Sequence, residues 1–265
     1  MKTEQIKSFY RLFMNLLRKD LFVYFKEIYL GDLLDNMIWA GTFMFIMAYV
    51  LPQVGLSATY GAFFAVSTIV SVAFWDTWNT TTQFIGDLDG ARTIEYYITL
   101  PIPAWLYFVK QICYFAIRAG ALSLAIVPVA KIILWNQFSF DHISIMQTLF
   151  IYIGTLFFCA VMSLVMASMV KDINNLGHVG IRTLFPMFSL GGTQYSWLTM
   201  YALSPWFAYV SLANPLLYAT EGMHAAMLGQ EGYLSFWLCV IMVVAFSFVI
   251  GWWSIVRMKR RLDCV

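Results

Sequence analysis

The stretch from Ile181 to Gly229 constrains this chain more than any other. It reads IRTLFPMFSLGGTQYSWLTMYALSPWFAYVSLANPLLYATEGMHAAMLG and holds no Lys or Arg after Arg182. One membrane crossing takes about 20 apolar residues, so the stretch is too long for a single helix. Pro186, Gly191-Gly192, Ser204-Pro205 and Asn214-Pro215 punctuate it too often for two regular ones. Broken backbone of this kind is tolerated at membrane depth only where protein buries it or it lines a cavity.

Composition agrees with that setting. Of 265 residues, 61% are hydrophobic and 11% charged, against roughly half and a quarter in a soluble domain. The chain therefore reads as a polytopic membrane protein. Its net charge of +2 says little about partners, because placement of the charges matters more than their sum. Cys113, Cys159, Cys239 and Cys264 have no paired spacing, which argues against a disulfide framework or a thiolate metal site. The N-terminus lacks the basic-then-apolar pattern of a cleaved signal peptide. With no linker and no internal repeat, residues 1–265 read as one domain.

Residues 2–19 have the pattern of an amphipathic helix on the membrane surface. Ile6, Phe9, Tyr10, Phe13, Leu16 and Leu17 fall on one face and Lys7, Arg11, Arg18 and Lys19 on the other. The plainer alternative is a basic flank to the first span. Expected spans follow at Leu33–Leu51, Ser57–Trp78, Ala104–Leu134 with a kink at Pro128, and Ser144–Val170. A polar loop from Phe84 to Pro103 and an outer loop at Asn136–His142 separate them. The last span is Tyr233–Val256, followed by Arg257, Lys259, Arg260 and Arg261. Basic residues at both ends put both termini in the cytoplasm, which requires an even number of crossings. The punctuated stretch then crosses once, at Ile181–Leu203. Trp206–Ala213 and Leu216–Leu228 remain as short helices dipping into the outer face. The expectation is an all-α fold: six transmembrane helices, an N-terminal interfacial helix, and a re-entrant outer hairpin between spans five and six.

Charges inside spans are costly and often functional. Asp76 and Lys110 lie at similar expected depths, so a structural ion pair between them is expected. Arg118 lies about 20 Å past Pro103, where no acid on an adjacent span matches it. Pairing with Glu221 and a wet, substrate-facing position both remain open for it. No GxxxxGK followed by Ser or Thr occurs, so nothing here cradles a nucleotide phosphate. His142, His178 and His224 have no metal-ligand spacing. Ser189, Ser196 and Ser204 lack a GxSxG context. No catalytic set and no metal site is expected, and the basic residues flank spans without forming a nucleic-acid patch. The sequon Asn79-Thr80-Thr81 falls at the cytoplasmic face in this topology.

Two segments, in order, resemble the membrane subunit of type-2 ATP-binding-cassette exporters. Arg92-Thr93-Ile94-Glu95-Tyr96-Tyr97-Ile98-Thr99-Leu100-Pro101 matches a family Gly-Thr-Leu-Glu run followed by apolar residues and Pro, with Arg92 in place of the Gly. Asn214-Pro215-Leu216-Leu217-Tyr218-Ala219-Thr220-Glu221-Gly222-Met223 is similar to the family's outer Asn-Pro…Glu segment, with His224 where an Arg usually follows. Ser189-Leu190-Gly191-Gly192 loosely echoes a third motif. The resemblance implies a permease, not itself an enzyme, in the cytoplasmic (inner) membrane of a prokaryote. It implies a homodimer or heterodimer of permease subunits over separate ATPase subunits, which would bind the ATP and Mg. Asp87, Asp89, Arg92, Thr93, Glu95 and Pro101 would form the ATPase-coupling loop, beside the interfacial helix with Phe9, Arg11, Phe13 and Arg18. Asn214, Pro215 and Glu221 would belong to an outer gate.

Polysaccharides, lipids and drug-like compounds are all cargo of similar exporters. Aromatic residues such as Trp39 and Phe43, one turn apart, would suit a sugar route, although interfacial belts account for most of them. The competing expectation is a self-contained secondary transporter or channel that uses Asp76, Lys110 and Arg118 as a relay.

Overall fold

Residues 20–32, between the expected surface helix and the first span, contain no Pro and one Gly, so little in them interrupts a helix. The computed structural model, which describes residues 2–57, 59–90, 104–135, 143–170 and 173–263, accordingly has no break there. Helix α1 (Lys2–Val23) passes through a π-turn at Tyr24–Ile28 into α2 (Tyr29–Phe45), then through a second π-turn and a 3₁₀ turn at Leu51–Val54. The expected surface helix and first span are thus one continuous helical segment. The face of α1 carrying Leu17, Phe13 and Leu21 packs on protein, in a cluster with Phe84, Tyr107 and Phe108. Tyr10, Met14 and Phe22 stay exposed, as do Arg11 and Arg18, while Phe9 is half-buried.

The helix α3 (Tyr60–Asp89) extends well past Trp78, the expected end of the second span. Its WDTWNTTTQ run, past or at the expected end of the span, forms a helix–helix seam. Thr77 donates to the Cys159 carbonyl at 3.3 Å, Thr81 to that of Ser163 at 3.3 Å, and the Thr80 and Ser163 hydroxyls meet at 2.8 Å. Small hydroxylated residues let two helices approach closely, and each such bond adds about 0.6 kcal/mol. The partner helix is α6 (Ile145–Met169). Between them in sequence come α4 (Ala104–Leu124) and α5 (Ile126–Ile133), divided at Ala125. Pro128 explains the division, because it has no N–H to give the Leu124 carbonyl.

The punctuated stretch resolves into short helices. These are α7 (Ile173–Ser189), α8 (Trp197–Leu203), α9 (Pro205–Ser211) and α10 (Pro215–Leu228), ahead of the last helix α11 (Phe236–Asp263). The crossing expected at Ile181–Leu203 is not one helix. α7 begins earlier and climbs beside α3: Gly180 abuts Trp78, and Phe188 stacks on Phe74 and tilts against Trp75. The turn at residues 190–195 then brings the chain to the far end of α3, where Tyr60 donates to the Gln194 carbonyl at 2.6 Å. Gly192 holds φ +69° in that turn, and a Cβ there would come within 2.8 Å of Leu217.

Five helical segments are long and apolar enough to cross a membrane: Phe9–Val54, Tyr60–Leu88, Trp105–Ile133, Ile145–Met169 and Phe236–Met258. They mark an integral membrane protein. α3 and α6 are the most enclosed of these, and the first and last segments the least. Among the described residues every regular element is helical, with no strand.

Candidate functional site

Arg118 is the largest fully buried side chain in the described structure, and its surroundings are built by four helical segments. Its Nε donates to Asp76 Oδ1 at 3.1 Å, its Nη2 to Asp32 Oδ2 at 2.9 Å, and its Nη1 to Gln83 Oε1 at 2.6 Å. The guanidinium lies 4.8 Å above the ring of Tyr24. A planar fork of donors can hold several acceptors in one plane and stack at the same time, which a lysine cannot do. Asp32 comes from α2, Asp76 and Gln83 from α3, and Tyr24 from the π-turn. This cluster of one cation and two carboxylates therefore fastens the first long helix to α3 and α4.

These contacts correct the pairing expected with Glu221: Arg118 meets Asp76, Asp32 and Gln83 instead. Its side chain is fully buried. The expected Asp76–Lys110 pair is absent as well. Because α3 runs on to Asp89, Asp76 lies thirteen positions from that end, as deep as Arg118 is from the start of α4. Lys110, nearer the end of its helix, instead reaches α1. Its Nζ lies 2.5 Å from Asp20 Oδ2 and 3.0 Å from Gln111 Oε1. Asp20, Asp32 and Gln83 were not singled out by the sequence, where the two acids are among five in residues 1–54.

Beside the charge cluster lies a cavity of about 350 Å³, with Asp20, Tyr24, Gln83, Asp87 and Lys110 among its walls. It separates α1 from α3 and α4 at the end of the bundle where α3 finishes. Asp87 is thus close to the first helix. Arg92, Thr93, Glu95 and Pro101 lie outside the described residues, and of Asp89 only the backbone is described.

A second cavity, of about 430 Å³, opens between α2 and α7 over a floor formed by α3. Trp39 and Phe43, with ring centroids 5.2 Å apart, form one wall, and Phe185 and Phe188 the other. Asn36 and Ser71 supply its polar groups, together with Gln194.

At the Tyr60 end, Glu221 is fully buried in α10, and its carboxylate joins two loops. Oε1 accepts from the Trp197 backbone N–H at 2.7 Å and Oε2 from that of Leu234 at 3.0 Å. A carboxylate is suited to this, since it presents only acceptors. Asn214 starts the same helix: its Oδ1 accepts from the Leu216 N–H at 3.1 Å, and its Nδ2 donates to the Met187 carbonyl at 2.6 Å. With Pro215 in the first turn, this is a strong helix-start signal. His224 stacks on Phe63 at 4.1 Å and places Nε2 2.9 Å from the Ser67 hydroxyl. Asn214, Pro215 and Glu221 thus fix the course of α10 and of the loops around it. Next to them is a hydroxyl-rich cavity of about 560 Å³, lined by Thr59, Tyr60, Gln194, Ser196 and Tyr233 among others.

Among the described residues, no group of three or more His, Cys, Asp or Glu side chains is arranged to hold a metal ion. No protein-family model matches the chain, and no curated protein matches it.

Proposed function

We propose that this chain is the membrane permease subunit of an ATP-driven exporter, working beside a second permease copy and moved by separate ATPase subunits. The observation that carries the reading is the unbroken helical segment Phe9–Val54, tied at Asp32 through Arg118 to Asp76. A chain with no phosphate-binding loop can use ATP only through a partner. That partner needs a rigid handle continuous with a span. In this reading α1 and the loop bearing Arg92 and Glu95 are gripped from the cytoplasm, through charge-assisted contacts.

The same reading sets the topology. Both termini are cytoplasmic, as basic flanks require. The five long segments account for five crossings, and α7 with the turn at residues 190–195 makes the remaining one. α9 and α10 form a hairpin at the outer face, and the protein resides in the inner membrane of a prokaryote. Cargo would follow the aromatic groove, which suits polysaccharide, lipid or drug-like molecules. The alternative, an ion-driven carrier using Asp76, Lys110 and Arg118 as a relay, fits less well, because each of the three is bound to a partner side chain.

The test is co-purification of the tagged chain from its native membrane. An ATPase subunit should accompany it and hydrolyse ATP in the complex, and an R92E/E95R double reversal should release that subunit. A purified chain that moves cargo with no nucleotide-binding partner would refute the proposal.

A further inference from the structure

A cavity of about 540 Å³ runs between α7 and α11. Phe185 and Phe188 of α7 face the aromatic groove, whereas Pro186 and Leu190 face this one. Met162 and Val165 of α6 form its floor, and Phe246 and Trp253 of α11 its second wall. α9 and α10 border one end. From Thr183 to Leu190, and equally from Phe246 to Trp253, it follows about 10 Å of helix. Half of a hydrocarbon core of about 30 Å is about 15 Å, so the groove matches most of one leaflet's depth.

The other end carries charge. Arg182 stands one turn before Pro186 on α7, and Arg257 one turn past Trp253 on α11. The Arg257 guanidinium lies 5.0 Å from the Trp253 ring. Both arginines are exposed, and neither forms an ion pair among the described residues. α6 gives a common ruler for their levels. Gly251 meets Val161 on it. Gly180 abuts Trp78, whose neighbours Thr77 and Thr81 bond to the Cys159 and Ser163 carbonyls around Val161. Side chains lean toward the N-terminus of their own helix. α7 climbs toward the Tyr60 end and α11 runs away from it, so the two arginines lean toward each other's level.

Their surroundings are apolar. Ile181 and Phe185 are exposed beside Arg182, and Trp252 beside Arg257. Within a span, a charge among such residues is costly unless it meets water or an opposite charge. One cation on each wall, at the foot of an apolar groove, fits a molecule with an anion at one end and hydrocarbon at the other. A guanidinium fork matches phosphate oxygens. Basic pockets between spans on the cytoplasmic side hold anionic headgroups in the same way.

We infer that the α7–α11 groove binds an anionic phospholipid, with Arg182 and Arg257 on its phosphate and one acyl chain laid against Pro186, Leu190 and Phe246. This lipid is held and not carried, since it lies across α7 from the groove assigned to cargo. Placing it in the cytoplasmic leaflet rests on the permease reading, whereas the binding itself does not.

The test uses the purified full chain in neutral detergent, with phosphatidylglycerol as the probe and bound lipid counted by native mass spectrometry. A tightly held phosphatidylglycerol is expected, and zwitterionic phosphatidylcholine should bind at least about tenfold more weakly. R182Q/R257Q should weaken phosphatidylglycerol by at least about tenfold. R11Q/R18Q removes the same charge from exposed positions on α1 and should leave it unchanged. L190W keeps both arginines but fills the groove, so it should weaken binding as well. Equal affinity in R182Q/R257Q, an equal loss in R11Q/R18Q, or equal affinity for phosphatidylcholine would overturn the proposal. So would equally tight binding of glycerophosphoglycerol, the headgroup without its chains. Lipid binding that follows these arginines in a chain that never engages an ATPase keeps the site and removes the permease reading. An ATPase complex whose lipid binding ignores R182Q/R257Q does the reverse.

Discussion

Replacing Arg118 with methionine tests whether the buried cluster holds the first long segment in place. Methionine keeps most of the apolar length and removes the cation. The Asp76 side chain, 2% exposed, would lose its ion-pair partner, and breaking a buried pair from one side costs about 3–5 kcal/mol. The Asp32 arm counts for less, because that side chain is 22% exposed and an accessible pair contributes about 0–1 kcal/mol. Gln83 loses a hydrogen bond, worth about 1 kcal/mol. The total, about 4–7 kcal/mol, is roughly three to five powers of ten in the folding equilibrium. Since single domains hold only about 5–15 kcal/mol, R118M should unfold at far lower denaturant than the parent. Reversible unfolding in mixed micelles, followed by loss of helical signal, measures this. Most of the penalty arises from the stranded Asp76 carboxylate, so R118M/D76N should regain more than half of it. D76N alone should be mild, because Arg118 keeps Asp32 and Gln83. An R118M protein as stable as the parent, or a double variant no better than R118M, would refute the reasoning.

Gly180→Ala would place a Cβ 1.9 Å from the Trp78 ring, so α7 must move off α3. A loss of about 1–3 kcal/mol is expected, with greater proteolytic sensitivity at residues 190–195. Glu221→Gln would turn an amide N–H₂ toward one of two backbone N–H donors, at about 1–3 kcal/mol. Hydrogen exchange should quicken at Trp197 or at Leu234, and at both in Glu221→Ala. Asp20→Asn removes the charge facing Lys110, which is 4% exposed at the side chain. Exchange across the first turns of α1 should rise while α6 is unchanged; equal protection in both proteins would show that the pair does not hold α1.

Legibility followed how local each signal was. The division near Pro128, the helix start at Asn214-Pro215 and the Gly191-Gly192 turn depend on backbone chemistry within a few residues, and each stood in the sequence. Which carboxylate meets which cation depends on where neighbouring helices end and how they are rotated. The polar run after Trp75 looked like the end of a span, and that shortened α3. The error moved Asp76 up beside Lys110 and left Arg118 without a partner. Threonines at 77, 80 and 81 read as polar against water, when their hydroxyls serve α6. Glu221 was noticed, but its two backbone donors come from residues far apart in sequence, and no spacing rule links them. The continuity of α1 with α2 was open to view, since residues 20–32 lack a helix breaker.

That continuity has a geometric consequence. Phe9–Val54 contains 46 residues, which would stretch about 69 Å if straight, more than twice the hydrocarbon thickness of about 30 Å. Asp32, where the Arg118 clasp fastens it, falls almost at the midpoint, leaving arms of about 34 Å on either side. Such a seesaw has a mechanical ratio near one. A tilt about the clasp would carry its two tips in opposite directions by nearly equal amounts, trading inward displacement on one side for outward displacement on the other.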